Sequence, residues 1–144
     1  MRIGLVGSEG AKFTAKGKRK AMYAMFSLLQ PGDIVVSGHC HLGGVDIWAE
    51  QIAALMGLDT DIYPPETLSW ETGYKPRNIQ IAENSELVVC IAVDRLPPTF
   101  TGMRHELCYH CHTADHVKSG GCWTTKYARK IGKSTDLIIV PNDL

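Results

Sequence analysis

Hydrophobic and polar positions along the chain follow two alternating patterns. Short apolar runs rich in β-branched residues predict buried strands at 2–6, 33–37, 60–63, 87–93 and 137–140. Segments with apolar residues at helical spacing predict helices at 11–29, 45–56, 76–84 and 123–131, the second with Gly57 as its C-cap. Strands that alternate with helices favour right-handed βαβ units. We therefore expect one α/β domain over 1–144, a three-layer Rossmann-like fold with a mostly parallel sheet of about five strands.

The segment 95–121 interrupts this alternation. It is polar and rich in cysteine and histidine, and a structureless loop of this length is uncommon in a compact domain unless a function or a cross-link requires it. Of the five Cys and six His in the chain, seven lie between His105 and Cys122 and three form the run 39–41. This concentration predicts metal binding or thiol chemistry in the excursion 95–122 rather than a disulfide framework.

Cys108, Cys111, His116 and Cys122 have the spacing of a zinc knuckle with one additional residue in the last gap. Three thiolates and one imidazole suit tetrahedral Zn²⁺, and a complete set of protein ligands makes that zinc structural rather than catalytic. Three other histidines in the segment are alternative fourth ligands: His105, His110 and His112. The alternative is a set of free cysteines in a polar loop.

Composition and charge narrow the classes of function. The chain is 44% hydrophobic and 21% charged, which is enough to bury a core, and its formal net charge of zero argues against bulk binding to a nucleic-acid backbone. Lys12, Lys16 and Lys20 share one face of the first predicted helix, so a local basic surface for nucleic acid stays open as a weaker alternative. Because neither a signal peptide nor a membrane-length apolar run is present, we expect a cytoplasmic protein, in the host cytoplasm if phage-encoded.

Four glycine-rich or polar segments lie where a parallel sheet binds its ligands, beyond the carboxyl ends of strands and at helix N-termini. They are residues 7–10, 37–46, 73–78 and 119–125. Glycine turns let backbone amides approach a phosphate, and Arg77 with Asn78 suits a phosphate and a base or sugar. Asp46 either stabilises a helix N-terminus or binds a ribose hydroxyl, and Glu50 lies one turn further on.

Taken together, these segments resemble the SLOG superfamily. The matching stretches are VGS after the first strand, VVSGHCHLGGVDIWAEQIAALMG, GYKPRN, and SGGCWTT before the last helix. This Rossmann-like group includes the DprA proteins and the lonely-guy phosphoribohydrolases, and the resemblance is strongest to small single-domain bacterial and phage members. It implies a pocket for a nucleotide or a nucleotide-derived ligand. The residues carried over by position are Gly7, Ser8, Gly44, Asp46, Arg77, Asn78, Gly120, Gly121 and Thr124.

The sequence departs from the lonely-guy pattern at the residues that bear on catalysis. Lys126 and Tyr127 stand where those enzymes carry a catalytic Glu, so Asp46 or Glu50 would have to supply the acid. Binding of the ligand, for sensing or sequestration, is therefore the first hypothesis. Hydrolysis of a nucleotide N-glycosidic bond is the second. The superfamily resemblance also leaves a homo-oligomer open.

Overall fold

The sheet has five strands in the part of the chain that the structure, a computed structural model, describes, which is residues 1–105 and 107–143. The strands are β1 (Arg2–Gly7), β2 (Ile34–Ser37), β3 (Asp59–Ile62), β4 (Leu87–Val93) and β5 (Ser134–Val140). The helices are α1 (Ala15–Leu28), α2 (Val45–Met56), α3 (Lys75–Glu83) and α4 (Gly120–Lys130), with a 3₁₀ turn at Gly10–Lys12 and a π turn at Trp70–Tyr74. The predicted α/β fold is confirmed.

The strands pair in the order β3-β2-β1-β4-β5, and each of these pairings is parallel. The chain moves outward from β1 in one direction through β2 and β3, and in the other through β4 and β5. The order therefore reverses between β1 and β4. Ligands of open α/β sheets bind at such a reversal, outside the carboxyl ends of the strands.

Both faces of the sheet are covered by helices. On one face α1 and α2 pack over Leu5, Val35 and Ile91, and on the other α3 and α4 pack over Val6 and Val88. Strands buried on both faces read as continuous apolar runs, as β4 does. No helix among the described residues has both the length and the apolar character needed to cross a membrane.

Two helices begin three or four residues away from the starts that the hydrophobic spacing predicts, because capping side chains define their first turns. The Thr14 hydroxyl accepts a hydrogen bond from the amide of Gly17, so α1 starts at Ala15 rather than at residue 11. The Ser119 hydroxyl accepts from the amide of Gly121, so α4 starts at Gly120 rather than at 123. As a result Cys122 lies inside the first turn of a helix.

The cysteine-rich excursion is attached to the body at several points. Leu96, Phe100 and Val117 are buried in the core under α1 and α2. The Val117 amide donates to the carbonyl of Val93 on β4 at 2.8 Å, and Lys12 Nζ donates to the carbonyl of Lys118 at 3.1 Å. These contacts fix where the segment enters α4.

Candidate functional site

A cavity of about 320 Å³ opens at the carboxyl end of β1, where the strand order reverses. Eight of the nine residues expected to bind a ligand line it, and they come from four separate stretches of the chain: Gly7, Ser8, Asp46, Arg77, Asn78, Gly120, Gly121 and Thr124. The volume is in the range of small-molecule sites. The fold therefore brings the predicted segments together around one space.

Gly44, the ninth, lies outside the lining and has a structural role. Its φ is +87°, and a Cβ there would lie 2.3 Å from the carbonyl oxygen of Ser8. The next amide, of Val45, donates to that same oxygen at 3.2 Å. Gly44 thus lets the start of α2 pack against the loop after β1.

Ser8 presents an unusual polar group to the cavity. Its residue is 2% exposed, and its Oγ has no hydrogen-bond partner among the described residues. Its amide is held by the carbonyl of Ile91 at 3.0 Å, which fixes Ser8 beside the end of β4. A buried hydroxyl without a partner costs free energy, and a bound ligand is one explanation for its presence.

The first turn of α4 forms a second wall of the cavity. Ser119, Gly120, Gly121 and Thr124 border it. Gly121 lies so close to the sheet that a Cβ would be 2.8 Å from both the Cys90 sulfur and the Gly7 amide nitrogen, whereas a Cβ on Gly120 would meet nothing within 4 Å. Gly121 therefore permits close packing of helix and strand, and Gly120 leaves open space at the helix N-terminus.

Asp46 and Arg77 form a buried, charged third wall, both of them 7% exposed. Arg77 Nη1 donates to the carbonyl of Gly38 at 2.6 Å and lies 3.6 Å from Asp46 Oδ2. Its Nε donates to Asn78 Oδ1 at 2.8 Å. Sequence reasoning treats Arg77 as a phosphate ligand, but these contacts use two of its nitrogens to organise the wall.

Burial raises the pKa of Asp46. Loss of hydration raises the pKa of its carboxyl to about 6, and the guanidinium of Arg77 limits the rise. The group therefore changes its charge close to neutral pH. A carboxyl with this property at the edge of a cavity is able to donate or accept a proton.

Glu50, the other acid considered for catalysis, does not line the cavity. It accepts a hydrogen bond from the Ser37 hydroxyl at 3.0 Å, and its carboxylate lies 2.9 Å from His39 Nδ1. His39 itself has a left-handed backbone, with φ of +50°. Of the two candidate acids, only Asp46 faces the cavity.

Lys12 and Lys118 both line the cavity, although the sequence predicts Lys12 on one face of the first helix and does not predict a role for Lys118. Lys12 lies in the 3₁₀ turn before α1 and is partly buried, whereas Lys16 and Lys20 are exposed on the helix. Thr14 lies between Lys12 and these two lysines. As a typical N-cap residue, it is the signal in the sequence that could have placed Lys12 outside the helix. The aromatic residues Trp70 and Tyr74 also line the cavity.

The four predicted metal ligands form one cluster. The ligand atoms of Cys108, Cys111, His116 and Cys122 all lie within 4.8 Å of one another, so the group could hold a metal ion. Three of the four residues are buried and Cys111 is partly so. None of the five cysteines is in a disulfide. The rings of His105 and His110, both considered as fourth ligands, instead pack against Tyr109.

Local hydrogen bonds shape this cluster. Cys108 and Thr113 pair through both backbone amides, at 3.0 and 3.3 Å, and close a tight turn that contains Cys111. His116 Nδ1 lies 2.7 Å from the Asp115 carboxylate, while its Nε2 lies 3.5 Å from the Cys122 sulfur. A carboxylate on the outer nitrogen of a histidine is the usual way to orient a metal ligand.

Two thiols of the cluster, those of Cys111 and Cys122, are hard to ionise as free groups. Burial, followed by the neighbouring thiols, raises the pKa of Cys111 to about 12. A hydrogen bond with Cys90, whose sulfur is 3.8 Å away, and burial raise the pKa of Cys122. A bound cation reverses this effect, because it stabilises the thiolates that coordinate it.

The cluster and the cavity share one stretch of chain. His116 and Cys122 belong to the cluster, and the residues between them from Lys118 to Gly121 line the cavity.

Comparisons with models of protein families, with curated proteins and with solved structures give no match. The function of this chain is therefore inferred from the geometry of the cavity and the cluster.

Proposed function

We propose that the protein binds a nucleotide or a nucleotide-derived ligand in the cavity at the end of β1, and that a structural zinc ion supports one wall of it. The observation that carries this proposal is the meeting of four glycine-rich or polar segments around one cavity at the reversal of strand order. Such a crevice is where open α/β sheets bind nucleotides. The proposal agrees with the resemblance to the SLOG superfamily, and membership in it stays a prediction.

The lining offers groups for each part of such a ligand. The positive end of the α4 dipole and the Ser8 hydroxyl suit an anionic group, and the Asp46 carboxylate suits a sugar hydroxyl. Trp70 is 41% exposed, and with Tyr74 it gives the cavity an aromatic edge on which a base can stack. Arg77 lies 5.4 Å from the Tyr74 ring and holds that edge in place.

Zinc is the metal that best fits the donor set. Three sulfur ligands and one imidazole favour a tetrahedral ion of borderline softness, and four protein ligands leave no open position for water. Cys108, Cys111, His116 and Cys122 would hold the ion, and its role there is to fold the excursion and fix the start of α4.

Binding is tested with a panel of nucleosides, nucleoside monophosphates and dinucleotides, followed by thermal shift and calorimetry on the metal-loaded protein. A ligand that saturates one site per chain, and that Thr124→Val weakens while Thr135→Val does not, supports the proposal. Thr135 is a suitable control because it lies on β5, outside the lining. Absence of saturable binding across the panel contradicts it.

The zinc is tested by metal analysis of protein purified without added metal. We expect about one zinc per chain, a sharp fall in Cys108→Ser, and no change in Cys40→Ser, since Cys40 lies outside the cluster. Removal of the metal should lower the unfolding temperature of the wild type. A folded wild type that contains no metal would show the zinc assignment to be wrong.

The perturbed acidity of Asp46 favours a second candidate, hydrolysis of the N-glycosidic bond of a bound nucleotide. A carboxyl whose pKa is about 6 is suited to proton transfer near neutral pH. Incubation with nucleoside monophosphates should then release free base, and Asp46→Asn should abolish the release. If a nucleotide binds and no free base is released, the cavity binds the nucleotide without hydrolysing it.

A further inference from the structure

Lys12 brings a cation into the cavity wall without an ion pair among the described residues. Its Nζ donates to the carbonyl oxygen of Lys118 at 3.1 Å and lies 5.9 Å from the centre of the Phe100 ring. Burial, and then the charge of Lys118, lower the pKa of Lys12. A partly buried ammonium of this kind is stabilised by an anion.

Two further groups that favour an anion border the same cavity. One is the Ser8 hydroxyl, which is buried and without a partner among the described residues. The other is the N-terminus of α4, an eleven-residue helix whose first turn lines the cavity and whose dipole attracts negative charge. Glu9 is the opposing group, because it also lines the cavity and repels an anion, and its charge partly counters the lowering of the Lys12 pKa.

We propose that Ser8, Lys12 and the first turn of α4 form a phosphate subsite, and that phosphate bound there and the metal of the cysteine cluster stabilise each other's binding. This inference rests on the proposed function, which it deepens by assigning the end of the ligand that carries charge. Lys12 is assigned as the residue that selects a phosphorylated ligand over the corresponding nucleoside.

The coupling follows from how the chain connects the two sites. Residues 118–121, which line the cavity, lie between His116 and Cys122, and a metal bound to both would close this segment into a short ring. The carbonyl that holds the Lys12 ammonium belongs to Lys118, within the same ring. The metal would therefore fix the Lys12 ammonium and the start of α4 together. Because coupling free energies are reciprocal, phosphate must in turn strengthen metal binding.

The subsite is tested by titrating inorganic phosphate into the metal-loaded protein. Charge-assisted hydrogen bonds of about 1.5–3 kcal/mol correspond to roughly a 10- to 100-fold loss of phosphate affinity in Lys12→Gln. Lys130→Gln is the matched control, since it removes the same charge from the exposed last turn of α4. If Lys12→Gln binds phosphate as the control does, or if the wild type does not bind phosphate, the subsite is wrong.

Ser8→Ala separates a binding role from a structural one. Removal of a buried hydroxyl without a partner should leave the unfolding temperature unchanged or raise it, while phosphate affinity falls. A variant that keeps wild-type phosphate affinity contradicts the assignment of Ser8.

The coupling is tested by following zinc release to a coloured chelator with and without saturating inorganic phosphate, a readout that does not require the metal-free protein to fold. Phosphate should slow zinc release from the wild type several-fold and leave the rate in Lys12→Gln unchanged. Equal rates with and without phosphate in the wild type would disprove the coupling. The nucleotide panel tests the proposed function separately. If nucleotides bind equally well to the wild type and to Lys12→Gln, the proposed function is supported and only the subsite is wrong.

Discussion

The buried pair of Asp46 and Arg77 combines structural and chemical roles at one end of the cavity. Arg77 is held by the Gly38 carbonyl and by Asn78, and it lies 3.6 Å from the Asp46 carboxylate. Breaking a buried pair by removing one partner costs about 3–5 kcal/mol. Asp46 keeps a raised pKa despite Arg77, because burial outweighs the attraction between the two charges.

This raised pKa predicts a pH-dependent stability that Asp46→Asn removes. The folded protein holds the Asp46 proton more tightly than the unfolded chain, so the free energy of unfolding falls as the pH rises from the unfolded pKa of 3.8 to above the folded pKa of about 6. The loss is about 3 kcal/mol for a shift of this size. Urea unfolding of both proteins at pH 4.5 and 7.5 should show the wild type losing about 2 kcal/mol relative to the variant, because roughly a third of the full effect is already lost at pH 4.5. A difference that does not change with pH contradicts the assignment.

At the scale of the element, the start of α4 connects the sheet, the cavity and the cluster. Ser119 caps the helix, Gly121 lies against β1 and β4, and Cys122 belongs to the cluster of cysteine and histidine side chains. The helix begins with two adjacent glycines that differ in their surroundings, since only Gly121 has close neighbours.

The two glycines give a matched pair of substitutions. Gly121→Ala places a methyl group 2.8 Å from the backbone nitrogen of Gly7 and should destabilise the fold by about 1–3 kcal/mol. Gly120→Ala should leave stability unchanged or increase it by up to about 1 kcal/mol, because alanine is the better helix former. Denaturant unfolding of the zinc-loaded variants measures both effects. Equal effects of the two substitutions would mean that α4 does not approach β1 as closely as described.

The helices and strands also show most clearly which features of the fold and the site can be predicted from the sequence. Strand periodicity locates all five strands, and the spacing of the cysteines selects the four clustered residues. The spacing of Lys12 and Lys16 predicts that both lie on one face of a helix, which is wrong for Lys12 because Thr14 caps α1 and the helix begins at Ala15. Helical spacing also does not predict that Glu50 lies outside the cavity. Glu50 is one turn further from the N-terminus of α2 than Asp46, about 6 Å along the axis. Both failures concern direction in space, which spacing along the chain does not specify.

At the scale of the whole molecule, the parallel sheet creates the crevice and the excursion before α4 completes it. The reversal of strand order between β1 and β4 places the ends of these strands beside the first turns of α2 and α4. The excursion then closes one side through Lys118 and Ser119. We therefore expect the proposed zinc and ligand to stabilise each other, so that loss of one weakens binding of the other.

The most direct test of this claim is native mass spectrometry of the protein purified without added metal or ligand, repeated after treatment with a chelator. We expect one zinc and one nucleotide-class ligand per chain before treatment, and loss of both after it. A folded chain that loses its zinc and still retains the ligand would show that the two sites are independent.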